Sequence, residues 1–214
     1  MAESYPVNLN LERQKCLVIG GGGVAVRKAR RLLSCGARVS LISPRFAAAA
    51  LNLAKKNKRL ACRKRAARLE DARGAFLVIC ASNDRTVNSM FSRYCGNKGI
   101  LVNVVDVPAE CGFTLPAVVS RGALRISVST GGLSPGLSKK VARDLSGRFG
   151  PEYAAFLRLM GALRPLAIRT LADPEKRKKF FKKTIAPEIF SLIRRGKIKQ
   201  VKEKLERILN GGPA

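Results

Sequence analysis

Residues 15–25 read Lys15-Cys16-Leu17-Val18-Ile19-Gly20-Gly21-Gly22-Gly23-Val24-Ala25, an apolar run that ends on four consecutive glycines. The run predicts a buried strand, and Val24 to Ser34 behind it predicts a helix stopped by Gly36. A strand passed to a helix across glycines at the first and third positions, with a small residue at the sixth, is the G-x-G-x-x-A pattern of a dinucleotide-binding turn. Each marked position has its own reason. Gly20 makes the tight turn, Gly22 lets the backbone approach a pyrophosphate, and Ala25 keeps helix and strand close. The helix presents free N–H groups and a positive dipole end to that anion. Gly20, Gly21, Gly22, Gly23, Val24 and Ala25 are therefore candidate cofactor contacts.

The first half repeats this rhythm. Arg38 to Ile42, Phe76 to Cys80 and Ile100 to Val104 are rich in Val, Ile and Leu without polar alternation, as expected for strands covered on both faces; Leu60 to Arg63 is a weaker candidate. Pro44 to Asn57 and Asp84 to Tyr94 read as helices, the second capped from Asn83-Asp84. Crossovers of this length imply parallel pairing. In such sheets ligands bind at the carboxyl ends of the strands, which singles out Ser43, Pro44 and Arg45, then Ala81, Ser82 and Asn83, then Asn103 to Asp106. The acidic residue that would hold the adenosine ribose after the second strand is missing. Ser43 can still bond a ribose hydroxyl and Arg45 can accept a 2′-phosphate, so NAD and NADP both stay open.

A chain of 214 residues holds a dinucleotide domain and one smaller unit. Its six cysteines are scattered with no C-x-x-C pair, several in apolar runs, and read as reduced core residues of a cytoplasmic protein. No early apolar stretch resembles a secretory signal and no later run approaches a membrane span, so no membrane partner is expected. Histidine is absent, which removes the commonest metal ligand and the commonest general base; no metal site is expected, and proton transfer falls to carboxylates, lysines, hydroxyls or the substrate. With 42 Lys and Arg against 14 Asp and Glu, the formal charge of +28 draws anions. The lack of Trp, the three Tyr and the spread of basic residues over the whole chain argue against nucleic acid and leave a polyanionic small substrate or a solvated surface.

After Asp106 the rhythm changes. Phe113 to Ser120 and Leu124 to Ser129 predict a hairpin joined at Arg121-Gly122. Thr130, Gly131, Gly132 and Leu133 then lead to Ser134, a cap, and Pro135, the first turn of a helix to about Arg148. With Lys139, Lys140 and Arg143 nearby, this loop either suits carboxylates of a ligand or is a plain capped helix start. Beyond Gly150-Pro151 the chain reads as basic helices: Pro151 to Arg164, then Asp173 to Leu209 broken by Pro187 and Gly196.

These residues resemble the precorrin-2 dehydrogenases of siroheme and cobalamin synthesis, including the amino-terminal part of siroheme synthase. The stretches that carry the likeness are Tyr5-Pro-Val-Asn-Leu-Asn-Leu, Cys16 to Lys28, Ala81-Ser-Asn-Asp-Arg-Thr-Val-Asn88, Val102-Asn-Val-Val-Asp-Val-Pro108, Phe113-Thr-Leu-Pro116 and Ser127-Val-Ser-Thr-Gly-Gly-Leu-Ser-Pro135. They cover most of residues 5–150 in order, and the ending at Ala214 resembles a stand-alone form without the methyltransferase half. The resemblance implies NAD-dependent oxidation of precorrin-2, a tetrapyrrole with eight carboxylates, to sirohydrochlorin. It implies Asp106 as the catalytic residue and a homodimer whose hairpin segment and helix exchange contacts between subunits; with such a substrate, the loop before that helix makes Thr130, Gly131, Gly132 and Ser134 the candidate substrate contacts. Some members also insert ferrous iron; here neither histidine nor a cysteine pair offers donors, and the route left is a carboxylate taking pyrrole protons. Members carry a phosphorylatable serine where this chain has Thr130.

The expected fold is α/β: a Rossmann-like parallel sheet over 1–112, a small α+β dimerisation segment over 113–149, and a helical carboxyl-terminal domain over 150–214. The expected function is NAD-dependent precorrin-2 oxidation. The alternative is a dinucleotide-sensing regulator that holds nucleic acid on its basic surface.

Overall fold

The computed structural model describes residues 4–210. Met1 to Glu3 and residues 211–214, where the expected first and third segments begin and end and where the reading for a signal begins, lie outside them. The chain divides into two compact units between Leu115 and Pro116.

The first unit is built on five parallel strands, β1 (Lys15–Ile19), β2 (Arg38–Ser43), β3 (Leu60–Lys64), β4 (Leu77–Cys80) and β5 (Leu101–Val104), in the order β3-β2-β1-β4-β5. Register pairs Val18 with Leu41 and Ile79, so one row of aliphatic side chains crosses the sheet. Helices α1 (Gly23–Ser34) and α2 (Ala48–Lys55) belong to the core layer with Cys16, Val18, Val39 and Leu41. Helix α3 (Arg85–Asn97) supplies Phe91 and Cys95 to a second layer with Leu17, Ile42, Val78 and Val104. Alternate strand residues thus enter opposite layers, and both must be apolar. Val18, Leu41 and Val78 are fully buried, each worth about 1.5–3 kcal/mol of burial.

The crossover from β3 to β4 holds a single 3-10 turn, Leu69–Ala72, instead of a full helix. Asp71 secures it: its carboxylate accepts from Arg65 Nη1 at 2.8 Å, Arg65 Nη2 at 2.5 Å and the Arg68 N–H at 2.8 Å. Chain direction across the sheet reverses between β1 and β4, which opens a crevice over their carboxyl ends.

The second unit begins with a hairpin, β6 (Ala117–Arg121) and β7 (Leu124–Val128), turned at Gly122 with φ +60°. A Cβ at Gly122 would stand 3.0 Å from that of Ala154, so the turn fits closely against the following helices. Arg121 ties the hairpin to α4 (Pro135–Arg148) by donating to the Ser146 carbonyl at 2.9 Å and hydroxyl at 2.7 Å. Helices α5 (Glu152–Thr170), α6 (Pro174–Lys183), α7 (Pro187–Arg194) and α8 (Ile198–Leu209) surround Phe156, Leu163, Phe180, Ile189, Phe190 and Leu205. Glu152, 8% exposed, pairs with Arg194 Nε at 3.3 Å.

Three elements differ from the sequence reading. Helix α2 starts at Ala48, not Pro44, because Pro44 to Ala47 run along the glycine turn, where the Ala47 N–H donates to the Gly21 carbonyl at 2.9 Å. Helix α5 continues past Pro165 to Thr170, because Leu163 and Ala167 on either side of the proline are both held in the helical core. Strand β6 starts at Ala117, just after Pro116, which has no N–H to give a ladder. Cys35 is also not a core residue: it is exposed at the end of α1.

Candidate functional site

The carboxyl ends of β1, β2, β4 and β5 bring the sequence-predicted residues of the first unit to one edge of the sheet. Gly20 sits at φ +119°, and a Cβ there would fall on the Ala81 carbonyl; its N–H donates to the Ile42 carbonyl at 2.9 Å. Gly21 is as constrained, since a Cβ would meet the Arg45 carbonyl, with Ser43 Oγ at 2.9 Å. These two glycines are demanded by the protein's own packing.

Gly22 and Gly23 are different. Gly22 has φ −83°, which any residue adopts, and nothing lies within 4 Å of where either Cβ would be. No internal contact requires glycine at these positions, which are exposed beside the first turn of α1. That turn has no capping side chain and no acidic residue. A helix start of this kind, with open space in front of two glycines, fits a dinucleotide pyrophosphate. Ala25, fully buried, lets α1 lie close against the sheet, while Val24 is half-buried beside it.

Around this turn, Ser43 is 8% exposed with its hydroxyl against Gly21, and Pro44 and Arg45 are exposed. After β4, the Ser82 hydroxyl accepts the Asp84 N–H at 3.1 Å, Asp84 caps α3 through the Val87 N–H at 3.2 Å, and Asn83 is exposed. Asn88, 3% exposed, donates from Nδ2 to the Ser82 carbonyl at 2.9 Å, while its buried Oδ1 has no partner. Asn103 is buried with Nδ2 donating to the Phe113 carbonyl at 3.0 Å, so that amide group faces the protein. Asp106 is exposed two residues past β5 in the left-handed region, φ +63°, a conformation that aspartate tolerates better than most residues.

Lys28 and Cys111 were not singled out by the sequence. Lys28 is half-buried on α1; burial, then Arg27, pulls its ammonium below the usual lysine range, while the Asp106 carboxylate and the Cys111 thiol pull the other way. Its spacing of three residues from Ala25, on the same helix face, was the signal that could have found it. Cys111 has its thiol pushed up, chiefly by burial.

Thr130, Gly131, Gly132 and Ser134 belong to the second unit. The Thr130 hydroxyl lies 3.1 Å from Ser138 Oγ and accepts the Ser134 N–H at 3.1 Å; Ser134 Oγ accepts the Leu137 N–H at 3.3 Å and caps α4. Gly131 and Gly132 have φ of +63° and +86°. Among the described residues, no group of three or more His, Cys, Asp or Glu is placed to hold a metal ion.

The strand order and the glycine turn define a Rossmann-type dinucleotide-binding unit. A family model for NAD(P)-binding domains matches residues 7–117, and one for the sirohaem synthase dimerisation region matches residues 152–209. The second falls on the helices, not on the hairpin segment 113–149. The siroheme synthase of Methylococcus capsulatus is 33% identical over 204 residues, 95% of this chain and 42% of that protein. That of Nitrosomonas eutropha is 31% identical over 206 residues, 96% of this chain and 43% of that protein. The chain thus spans less than half the length of the curated relatives it matches. The solved structure of SirC, precorrin-2 dehydrogenase, superposes with a TM-score of 0.76 at 26% identity, covering 94% of this chain and all of that one. The chain belongs to the NAD(P)-binding family that includes the amino-terminal part of siroheme synthases.

Proposed function

We propose that this chain oxidises precorrin-2 to sirohydrochlorin with NAD. The observation that carries the reading is the shared sheet edge: the open turn at Gly22 and Gly23 and the Asp106 carboxylate both stand at the carboxyl ends of the parallel strands. The likeness to SirC, named a precorrin-2 dehydrogenase, supports the substrate. The charge of +28 supports a polycarboxylate.

The reaction removes two electrons and two hydrogens from the macrocycle. Bound NAD supplies the acceptor for a hydride. The first turn of α1 would hold the pyrophosphate through its N–H groups, with Ser43 to Arg45 and Ala81 to Asn83 at the same strand ends, while Asn103, its amide bound to the Phe113 carbonyl, would support the strand end from beneath. The remaining proton goes to the Asp106 carboxylate. Histidine is absent, and Asp106 is exposed at this edge with its carboxylate free of hydrogen bonds and ion pairs among the described residues. Within the second unit, Thr130, Gly131, Gly132 and Ser134 at the start of α4, with Lys139, Lys140 and Arg143 on it, offer hydroxyls, N–H groups and cations of the kind that suit carboxylates.

In this reading the protein is a homodimer in which the 113–149 segment and the helices from 150 onward make the subunit contacts; the match of residues 152–209 to a dimerisation region supports the part played by the helices. Six unpaired cysteines support a reducing, cytoplasmic setting, and among the described residues no helix is long and apolar enough to cross a membrane. The regulator alternative shares the dinucleotide turn and has only the charge to set it apart.

The test is Asp106→Ala. Turnover of precorrin-2, followed by the sirohydrochlorin spectrum, is expected to fall at least about 100-fold with coenzyme affinity unchanged by calorimetry. Loss of both together, or full turnover, overturns the assignment.

A further inference from the structure

We propose that Cys111 and Glu110 are positioning residues that clamp the turn carrying Asp106; the inference rests on the catalytic role assigned to Asp106 above. The Asp106 carboxylate itself is held by no hydrogen bond or ion pair among the described residues. Its position is therefore set by the backbone, which bends through a left-handed φ of +63° at this residue.

Two contacts hold that backbone. Strand β5 is the outermost strand of its sheet, so the groups on its free edge need partners from elsewhere. The returning chain supplies them: the Gly112 N–H donates to the Val102 carbonyl at 2.8 Å, and Cys111 Sγ accepts the Val104 N–H at 3.2 Å. The same thiol has the carbonyls of Val104 and Val107 each at 3.2 Å and donates its one proton to either. It thus bridges the residue two before Asp106 and the residue one after it. Asn103 Nδ2 adds a contact to the sulfur at 3.5 Å. Burial keeps the thiol in the protonated form that can donate.

Glu110 anchors the other side. Its Oε1 accepts from Arg85 Nη2 at 3.0 Å and Ser89 Oγ at 2.9 Å, and its carbonyl accepts from Ser92 Oγ at 2.7 Å, all from α3. The 105–112 loop is thereby fixed to β5 by sulfur and to α3 by a carboxylate. A base that must meet a reacting proton within a fraction of an ångström needs such fixing, since a shift of about 1 Å costs up to about 100-fold in rate.

The experiment compares wild type, Cys111→Ala, Cys111→Ser and Ser89→Ala. In the coenzyme-free protein, amide hydrogen exchange across residues 104–107 is expected to rise at least about tenfold in Cys111→Ala and less in Cys111→Ser, which keeps a donor and an acceptor on a shorter arm. In turnover, kcat is expected to fall about tenfold or more in Cys111→Ala, with partial rescue by Cys111→Ser and NAD affinity unchanged. Unchanged exchange, or unchanged kcat in an active wild type, overturns the clamp. A wild type that does not oxidise precorrin-2 overturns the functional reading first and the clamp with it. Should Cys111→Ala fail to fold, Ser89→Ala decides the matter by the same two readouts.

Discussion

An alanine at position 20 would press its Cβ onto the Ala81 carbonyl at a backbone φ of +119°, so the β1–β4 crevice would have to open. At position 22 the same substitution meets nothing within 4 Å on a backbone that any residue accepts. Gly20 answers to the fold; no internal contact explains Gly22, and the proposed function assigns it to the coenzyme. Gly20→Ala is expected to destabilise the protein by about 2 kcal/mol or more. Gly22→Ala is expected to change stability by less than about 0.5 kcal/mol while weakening NAD about tenfold, because the methyl group would enter the space proposed for the pyrophosphate. Thermal unfolding and calorimetric titration of the two variants separate the roles; a Gly22→Ala protein that binds NAD normally would remove the ligand reason for that glycine. The buried thiols follow a simpler rule. Burial pushes Cys16 and Cys95 up to about 11 and Cys80 up to about 12, with Cys35 adding to the effect on Cys16 and Cys95 and Cys111 to that on Cys80. All three stay as thiols at neutral pH and pack as apolar side chains.

Among the elements, the β3–β4 crossover depends most on a single ion pair. The Arg65 guanidinium, with the Arg68 N–H, holds the Asp71 carboxyl below the usual carboxylate range, against a smaller opposing effect of burial. A carboxylate whose folded pKa is depressed contributes its full stability above the unfolded value, near pH 4, and loses it as the pH falls through the folded value. Asp71→Asn is therefore expected to be less stable than wild type at neutral pH by about 1–3 kcal/mol and to lose less on acidification. Denaturant titrations across pH check this, and parallel acid limbs for the two proteins would contradict it. Where local chemistry decides an element, the sequence was readable: β1 has its expected bounds, Asp84 and Ser134 cap α3 and α4 as their residue types suggest, and Gly122 turns the hairpin. Where a distant partner decides, it was not. The late start of α2 depends on the glycine turn, and the passage of α5 through Pro165 depends on the helical core. The site divides the same way: Gly20 to Ala25 announce themselves by spacing, whereas Asn88 and Cys111 matter only because the chain returns to them.

At the scale of the whole molecule, 42 cations against 14 carboxylates make an anion's approach favourable from many directions. Charge of this kind raises encounter rates but does not choose a reaction. In the proposed function the choice comes from the sheet edge, where the glycine turn and a carboxylate stand at strand ends of one unit. The central claim is that precorrin-2 loses its electrons to NAD at that edge. An anaerobic single-turnover experiment tests it most directly: protein loaded with NAD is mixed with less than one equivalent of precorrin-2, and reduced nicotinamide and sirohydrochlorin are followed together. Equal amounts of both, rising on one time course, are predicted. Sirohydrochlorin without reduced nicotinamide, or neither product from protein that binds NAD, would contradict the account.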